Sequence, residues 1–252
     1  MITNIRFFTF AAPSRFFALS AYLIPWLYAL AAVLGATALY IGFFVAPTDA
    51  TQGESYRIIF IHVPAAWMSM VLYLAMAAWA VIGWAFNIRL ASMLARALAP
   101  TGALFTFVAL WTGALWGKPT WGAWWVWDAR LTSELILLFL YLGYIALTES
   151  IEDVRRADSA GALLALVGAV NVPVIYFSVR WWNTLHQGAT ISMTSAPKMA
   201  HTMLTAMLLM TLAAWAYAFA VVFVRTRAIV LERESDADWV KRLAASFAGA
   251  RA

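Results

Sequence analysis

Cysteine is absent from the 252 residues. That excludes disulfides, thiolate metal sites, iron–sulfur clusters and cofactor attachment through Cys-x-x-Cys-His. Charge is scarce too: Asp, Glu, Lys and Arg make up 12% of the chain, against about 25% in soluble domains. Apolar residues reach 64%, where roughly 45–50% is usual, and mean hydropathy is +0.79. A chain of this length cannot hide so much apolar surface inside itself, so a water-soluble globular enzyme is excluded and the solvent is a bilayer. The formal charge of +5 does not point to nucleic acid, because most of the positive charge sits at the ends of apolar runs.

A helix needs about 20 mostly apolar residues to cross the hydrocarbon layer. Six stretches qualify: Tyr22–Phe44, Val63–Phe86, Ala97–Trp116, Leu131–Thr148, Ser159–Val179 and Thr202–Val224. Only the fourth contains a charged residue, Glu134 near its start. Their length favours helices over barrel strands of about 10 residues. The first stretch has a basic flank but is too long for a cleaved signal and reads as a retained span. The expected fold is an all-α integral membrane protein with six transmembrane helices, forming a single domain over residues 1–252. With odd-numbered spans running outward, the inner segments hold Arg6, Arg15, Arg89, Arg96, Arg155, Arg156, Arg225, Arg227, Arg233, Lys241, Arg242 and Arg251, and the outer ones Arg57, Lys118, Arg130, Arg180 and Lys198. The positive-inside rule then puts both termini in the cytoplasm. The inner loops, Asn87–Arg96 and Glu149–Asp158, are short; the charged tail 225–252 reads as a solvated helix or a frayed end.

The outer side carries the informative residues. Five tryptophans, Trp116, Trp121, Trp124, Trp125 and Trp127, crowd the loop between spans three and four. An interfacial aromatic belt explains two or three indoles at one interface, not this density. If the loop is helical after Pro119, then Trp121, Trp124, Trp125 and Asp128 share one face, an indole shelf ending in a carboxylate. Gly117, Pro119 and Gly122 also permit an irregular loop. Such a surface gives broad, flat apolar contact with few rotatable bonds and suits a large planar aromatic ligand.

All three histidines, His62, His186 and His201, map to the outer side. Two imidazoles approaching from opposite sides clamp a haem iron axially, and His62 and His186 are the candidates. His201, at the start of the sixth span, is a reserve ligand with an interfacial role as its simplest reading. Haem propionates need cations, for which arginine is the best match. Arg130 is placed in the tryptophan-rich loop, but Glu134 four residues on is a competing helical partner, and that ion pair is the expected role of Glu134. Asp128 either pairs with Arg130 or orients the shelf. Asn171 and Pro173 interrupt the fifth span, where proline frees a backbone carbonyl and kinks the helix.

The segment 116–132, with its pattern Trp-Gly-x-x-x-Trp-Gly-x-Trp-Trp-x-Trp-Asp-x-Arg-x-Thr, resembles the WWD signature of the haem-handling proteins. Across nearly its whole length the chain is most similar to the CcmC family, the cytochrome c maturation protein C group of the multi-subunit bacterial pathway. The resemblance implies a multi-pass protein of the bacterial inner membrane that holds haem b at the periplasmic face and presents it to the haem chaperone CcmE. It implies His62 and His186 as axial ligands, and Trp116, Trp121, Trp124, Trp125, Trp127 and Asp128 as support for haem and chaperone contact. It implies as partners CcmE, the CcmA–CcmB ABC-transporter assembly and CcmD, besides membrane lipid and without nucleic acid. No Walker motif is present, so ATP-driven steps belong to partners. The reading is transfer of a ligand rather than enzymatic catalysis. Two other functions compete: a transmembrane b-type redox protein, which would place histidine pairs at mid-bilayer, and a permease subunit for haem export, which would line a midplane path with polar groups.

Overall fold

The computed structural model describes residues 12–186 and 199–249. They form eight helices: α1 Pro13–Tyr40, α2 Ile59–Phe86, α3 Arg89–Trp121, α4 Ala129–Ser150, α5 Val154–Gly168, α6 Asn171–Trp181, α7 His201–Arg233 and α8 Asp238–Gly249. Six helical spans are long and apolar enough to cross a membrane, the third being α3 and the fifth being α5 together with α6. No β-strand occurs among the described residues.

The expected number of spans is right, but several helices are longer than the apolar runs. α3 has 33 residues, or about 50 Å at 1.5 Å per residue, against a hydrocarbon thickness of about 30 Å. Backbone hydrogen bonding does not stop where apolar sequence stops. The second span likewise begins before Val63, with a 3₁₀ turn over Glu54–Ile58 running directly into α2. The expected inner loop Asn87–Arg96 shrinks to two residues, because Asn87 adopts a left-handed φ of 53° and ends α2. The charged tail expected from Arg225 is still helix as far as Arg233, followed by α8. The interruption expected in the fifth span separates α5 from α6; Asn171 Nδ2 donates to Ser133 O across the gap at 2.9 Å.

α2 is the spine, packed against α3, α5 and α7, while α1 rests chiefly on α7. Three tyrosines, Tyr73, Tyr141 and Tyr144, are fully buried in the main core. Glycines make room for them: a Cβ on Gly102 would overlap the Tyr141 ring and one on Gly168 the Tyr73 hydroxyl. At one end of the bundle, Arg233 and Asp158 form a two-bond ion pair at 2.8 Å, and Arg96 donates to Thr148 O. At the other end the start of α2, the end of α3, the start of α4 and the segment after α6 converge on a cavity.

Candidate functional site

α3 ends at Trp121 because Gly122 takes a left-handed φ of 79°. Residues 123–128 are irregular until Asp128 caps α4, its Oδ1 accepting from Leu131 N at 2.8 Å. The helical shelf expected over Trp121–Asp128 is therefore not formed, and its four residues do not share a face. Instead the end of α3, this irregular stretch and the first turns of α4 wrap a cavity lined mostly by apolar and aromatic side chains, the usual character of a cofactor site.

His62 lies within the first turns of α2, not in a loop, and is only 8% exposed. Its Nδ1 is 3.0 Å from Ala109 O and 3.1 Å from Thr112 Oγ1. The carbonyl can only accept, so Nδ1 carries the proton. The Thr112 hydroxyl donates to Val108 O at 2.6 Å and offers His62 a lone pair. In the neutral ring this leaves the Nε2 lone pair available, the tautomer a metal requires. Gly113 leaves space for the ring, since a Cβ there would come within 3.1 Å of His62 Cε1.

His186 stands across from it, with ring centroids 6.2 Å apart and planes inclined by 36°. Two imidazoles bound on opposite sides of one metal, each nitrogen at about 2.0–2.1 Å and each centroid roughly 1.1 Å further, have centroids about 6.3 Å apart. Indoles continue the row: Trp116 packs edge-on to His62 at 5.6 Å and Trp121 to His186 at 6.2 Å. Gln52 Oε1 accepts from Trp116 Nε1 at 2.7 Å and fixes that indole.

Of the nine candidate residues, His62, His186, Trp116, Trp121, Trp125 and Arg130 line the cavity. Trp124 and Trp127 do not; they are 55% and 77% exposed. Asp128 does not line it either; its Oδ1 caps α4 and its Oδ2 is buried with no hydrogen-bond partner among the described residues. His201 is exposed at the start of α7 and does not line the cavity. The Trp125 indole N–H is buried with no acceptor among the described residues. The expected Arg130–Glu134 ion pair is not made: Arg130 Nη1 donates to Ile175 O at 2.8 Å, and Glu134 Oε1 lies 2.7 Å from Ser69 Oγ. Among the other candidate cations, Arg57 is engaged by Glu54, Gly42 O and Ala46 O. Lys118 reaches Gly122 O and Arg180 is exposed beside Phe177; Lys198 lies outside the described residues.

The profile described as "CcmC: Heme exporter protein C" matches residues 6–241. The chain belongs to the CcmC family. It is 55% identical over 181 residues to "Heme exporter protein C" of Escherichia coli K12, covering 71% of this chain and 74% of that protein. The protein of the same name in Haemophilus influenzae is 43% identical over 240 residues, covering 93% and 96%. A ccmC-like mitochondrial protein of Marchantia polymorpha, named for cytochrome c biosynthesis, is 50% identical over 159 residues, 63% of this chain and 67% of its own.

Sequence reasoning on this CcmC-family chain missed Gln52, Thr112 and Gly113, and misassigned Glu134. None carries a periodic signal. Thr112 and Ala109 meet His62 only because α2 and α3 pack side by side, which brings together residues 50 and 47 positions apart.

Proposed function

We propose that the chain binds haem b at the histidine end of the bundle, on the periplasmic face of the bacterial inner membrane, and delivers it to the haem chaperone CcmE during cytochrome c maturation. CcmA–CcmB and CcmD are its proposed assembly partners. The single observation that carries haem binding is the 6.2 Å separation of the His62 and His186 rings inside an indole-lined cavity. The relatives' name, heme exporter, supports the same ligand, and the excess of arginines at the opposite end supports the orientation.

The residues divide the work by chemistry. His62, held in one tautomer by Ala109 O and Thr112, presents Nε2 to the iron, and His186 supplies the second axial nitrogen. Trp116, Trp121 and Trp125 contact the porphyrin, a large apolar plate for which indoles are good partners. Arg130 takes a propionate through its fork of donors, and the unpartnered Trp125 N–H is a further donor for a ligand oxygen. Asp128 fixes the first turn of α4 and so places Arg130. Trp124 and Trp127, exposed at the rim, offer apolar contact to the chaperone. Nothing in this scheme asks the chain for a nucleophile; it holds the ligand and releases it.

The test is haem binding by the purified protein, followed by loading of the chaperone. A low-spin haem spectrum is expected, weakened in His62→Ala and in His186→Ala, with chaperone loading falling in parallel. An unchanged spectrum in both variants overturns the reading.

A further inference from the structure

Glu134 lines the same cavity from α4 and is 7% exposed. Its Oε1 lies 2.7 Å from Ser69 Oγ, and that oxygen lies 2.8 Å from Ala66 O. A serine hydroxyl has one hydrogen. If it goes to Ala66 O, the 2.7 Å contact is a hydrogen bond only when Glu134 is the donor. The alternative, Ser69 donating to a carboxylate, turns the hydroxyl hydrogen away from Ala66 O. The arrangement that satisfies both short contacts is a relay: Glu134 O–H to Ser69 Oγ, and Ser69 O–H to Ala66 O. The neighbouring histidine shows the same pattern. Thr112 donates to a carbonyl of its own helix and accepts from His62 Nδ1–H.

The surroundings agree. Arg130, one turn earlier on the same helix, makes no ion pair with Glu134; its Nη1 donates to Ile175 O. Tyr141 on the same helix donates to Ser69 O. Among the described residues, His62 on α2 and His186 after α6 are the other titratable groups on the cavity wall besides Arg130, and α3 contributes none to it. We infer that Glu134 is a positioning residue held as a neutral carboxylic acid by Ser69, which leaves the charge of Arg130 free for a carboxylate of the ligand. If Glu134 ionised, it would add, beside Asp128, a second anion close to Arg130, at helical i,i+4 spacing, and would compete with the ligand for it. The inference rests on the haem reading above for the identity of that ligand.

Infrared spectroscopy of the full-length protein without haem tests the protonation directly. A protonated-carboxyl stretch is expected that is lost in Glu134→Gln and shifted in Ser69→Ala. Haem affinity is then followed as the pH is raised. Once the band is lost, wild-type affinity for haem should fall about tenfold, the value of one charge-assisted contact. Glu134→Gln, whose neutral amide cannot ionise, should show no such fall between neutral and alkaline pH. Haem dimethyl ester, which has the same iron but no free carboxylate, should also show none. A band that persists to the highest pH the protein survives supports the neutral acid and requires that no alkaline fall occurs. The inference is overturned by absence of the band, or by an alkaline fall that is retained in Glu134→Gln or equal for the ester. Because the band is read without haem, its absence overturns this inference alone, whereas histidine variants with an unchanged spectrum overturn the haem reading alone.

Discussion

Thr112→Val isolates the contact that orients His62. Valine keeps nearly the shape of threonine and removes only the hydroxyl. His62 Nδ1–H then loses the acceptor at 3.1 Å and keeps Ala109 O at 3.0 Å. The Thr112 bond to Val108 O lies within one helix, so that carbonyl stays in its helical ladder. Removing an entire outer partner of a ligating histidine weakens metal binding by about 10–100-fold. Here half of a shared hydrogen bond goes, worth about 0.5–1.5 kcal/mol, which is roughly a two- to twelvefold rise in Kd. The assay is an absorbance titration of the purified protein with haem, with Thr112→Ser as the control that restores the hydroxyl. Thr112→Val should bind more weakly with its low-spin spectrum intact, and Thr112→Ser should match wild type. Equal affinity in Thr112→Val and wild type refutes the argument that this hydroxyl sets the imidazole, as does a Thr112→Ser variant as weak as Thr112→Val.

The tryptophans should separate into two groups. Trp125→Ala removes a cavity wall and should weaken haem retention, while Trp127→Ala, at a residue 77% exposed, should retain haem and lower chaperone loading; equal haem retention in both variants contradicts the division. At the opposite end of the bundle, Asp158→Asn leaves the Arg233 guanidinium, whose side chain is 10% exposed, without its anion. Breaking a buried pair in this way costs about 3–5 kcal/mol, so thermal unfolding in detergent should begin at a clearly lower temperature, with haem affinity unchanged in the protein that remains folded.

The six spans were legible because length and apolarity alone decide whether a segment can cross a bilayer. The helix ends were less so. Nothing in an apolar count says that α3 runs on through Lys118 and Pro119 to Trp121, or that Gly122 then turns left-handed and stops it. The helical shelf fails for that reason: the spacing of Trp121, Trp124, Trp125 and Asp128 is helical, but a single backbone conformation at Gly122 breaks the register. That the two histidines and several indoles gather at one end of the bundle was readable from residue type and from the order of the spans. Their environment was not, because it is made by packing. Arg130 and Glu134 look like partners along one helix, yet Ile175 O, 45 residues away, takes the guanidinium and Ser69, 65 residues away, takes the carboxyl. Local spacing gave the available pair; the tertiary structure supplied other partners for both members.

The axial ligation of the bound haem tests the account most directly. Electron paramagnetic resonance of the purified ferric protein should show a low-spin, two-imidazole signal in wild type. The signal should be lost in His62→Gly and in His186→Gly, and restored in each by added free imidazole. A wild-type signal that survives both substitutions contradicts the claim that these two rings, one from α2 and one from the segment after α6, grip a single iron.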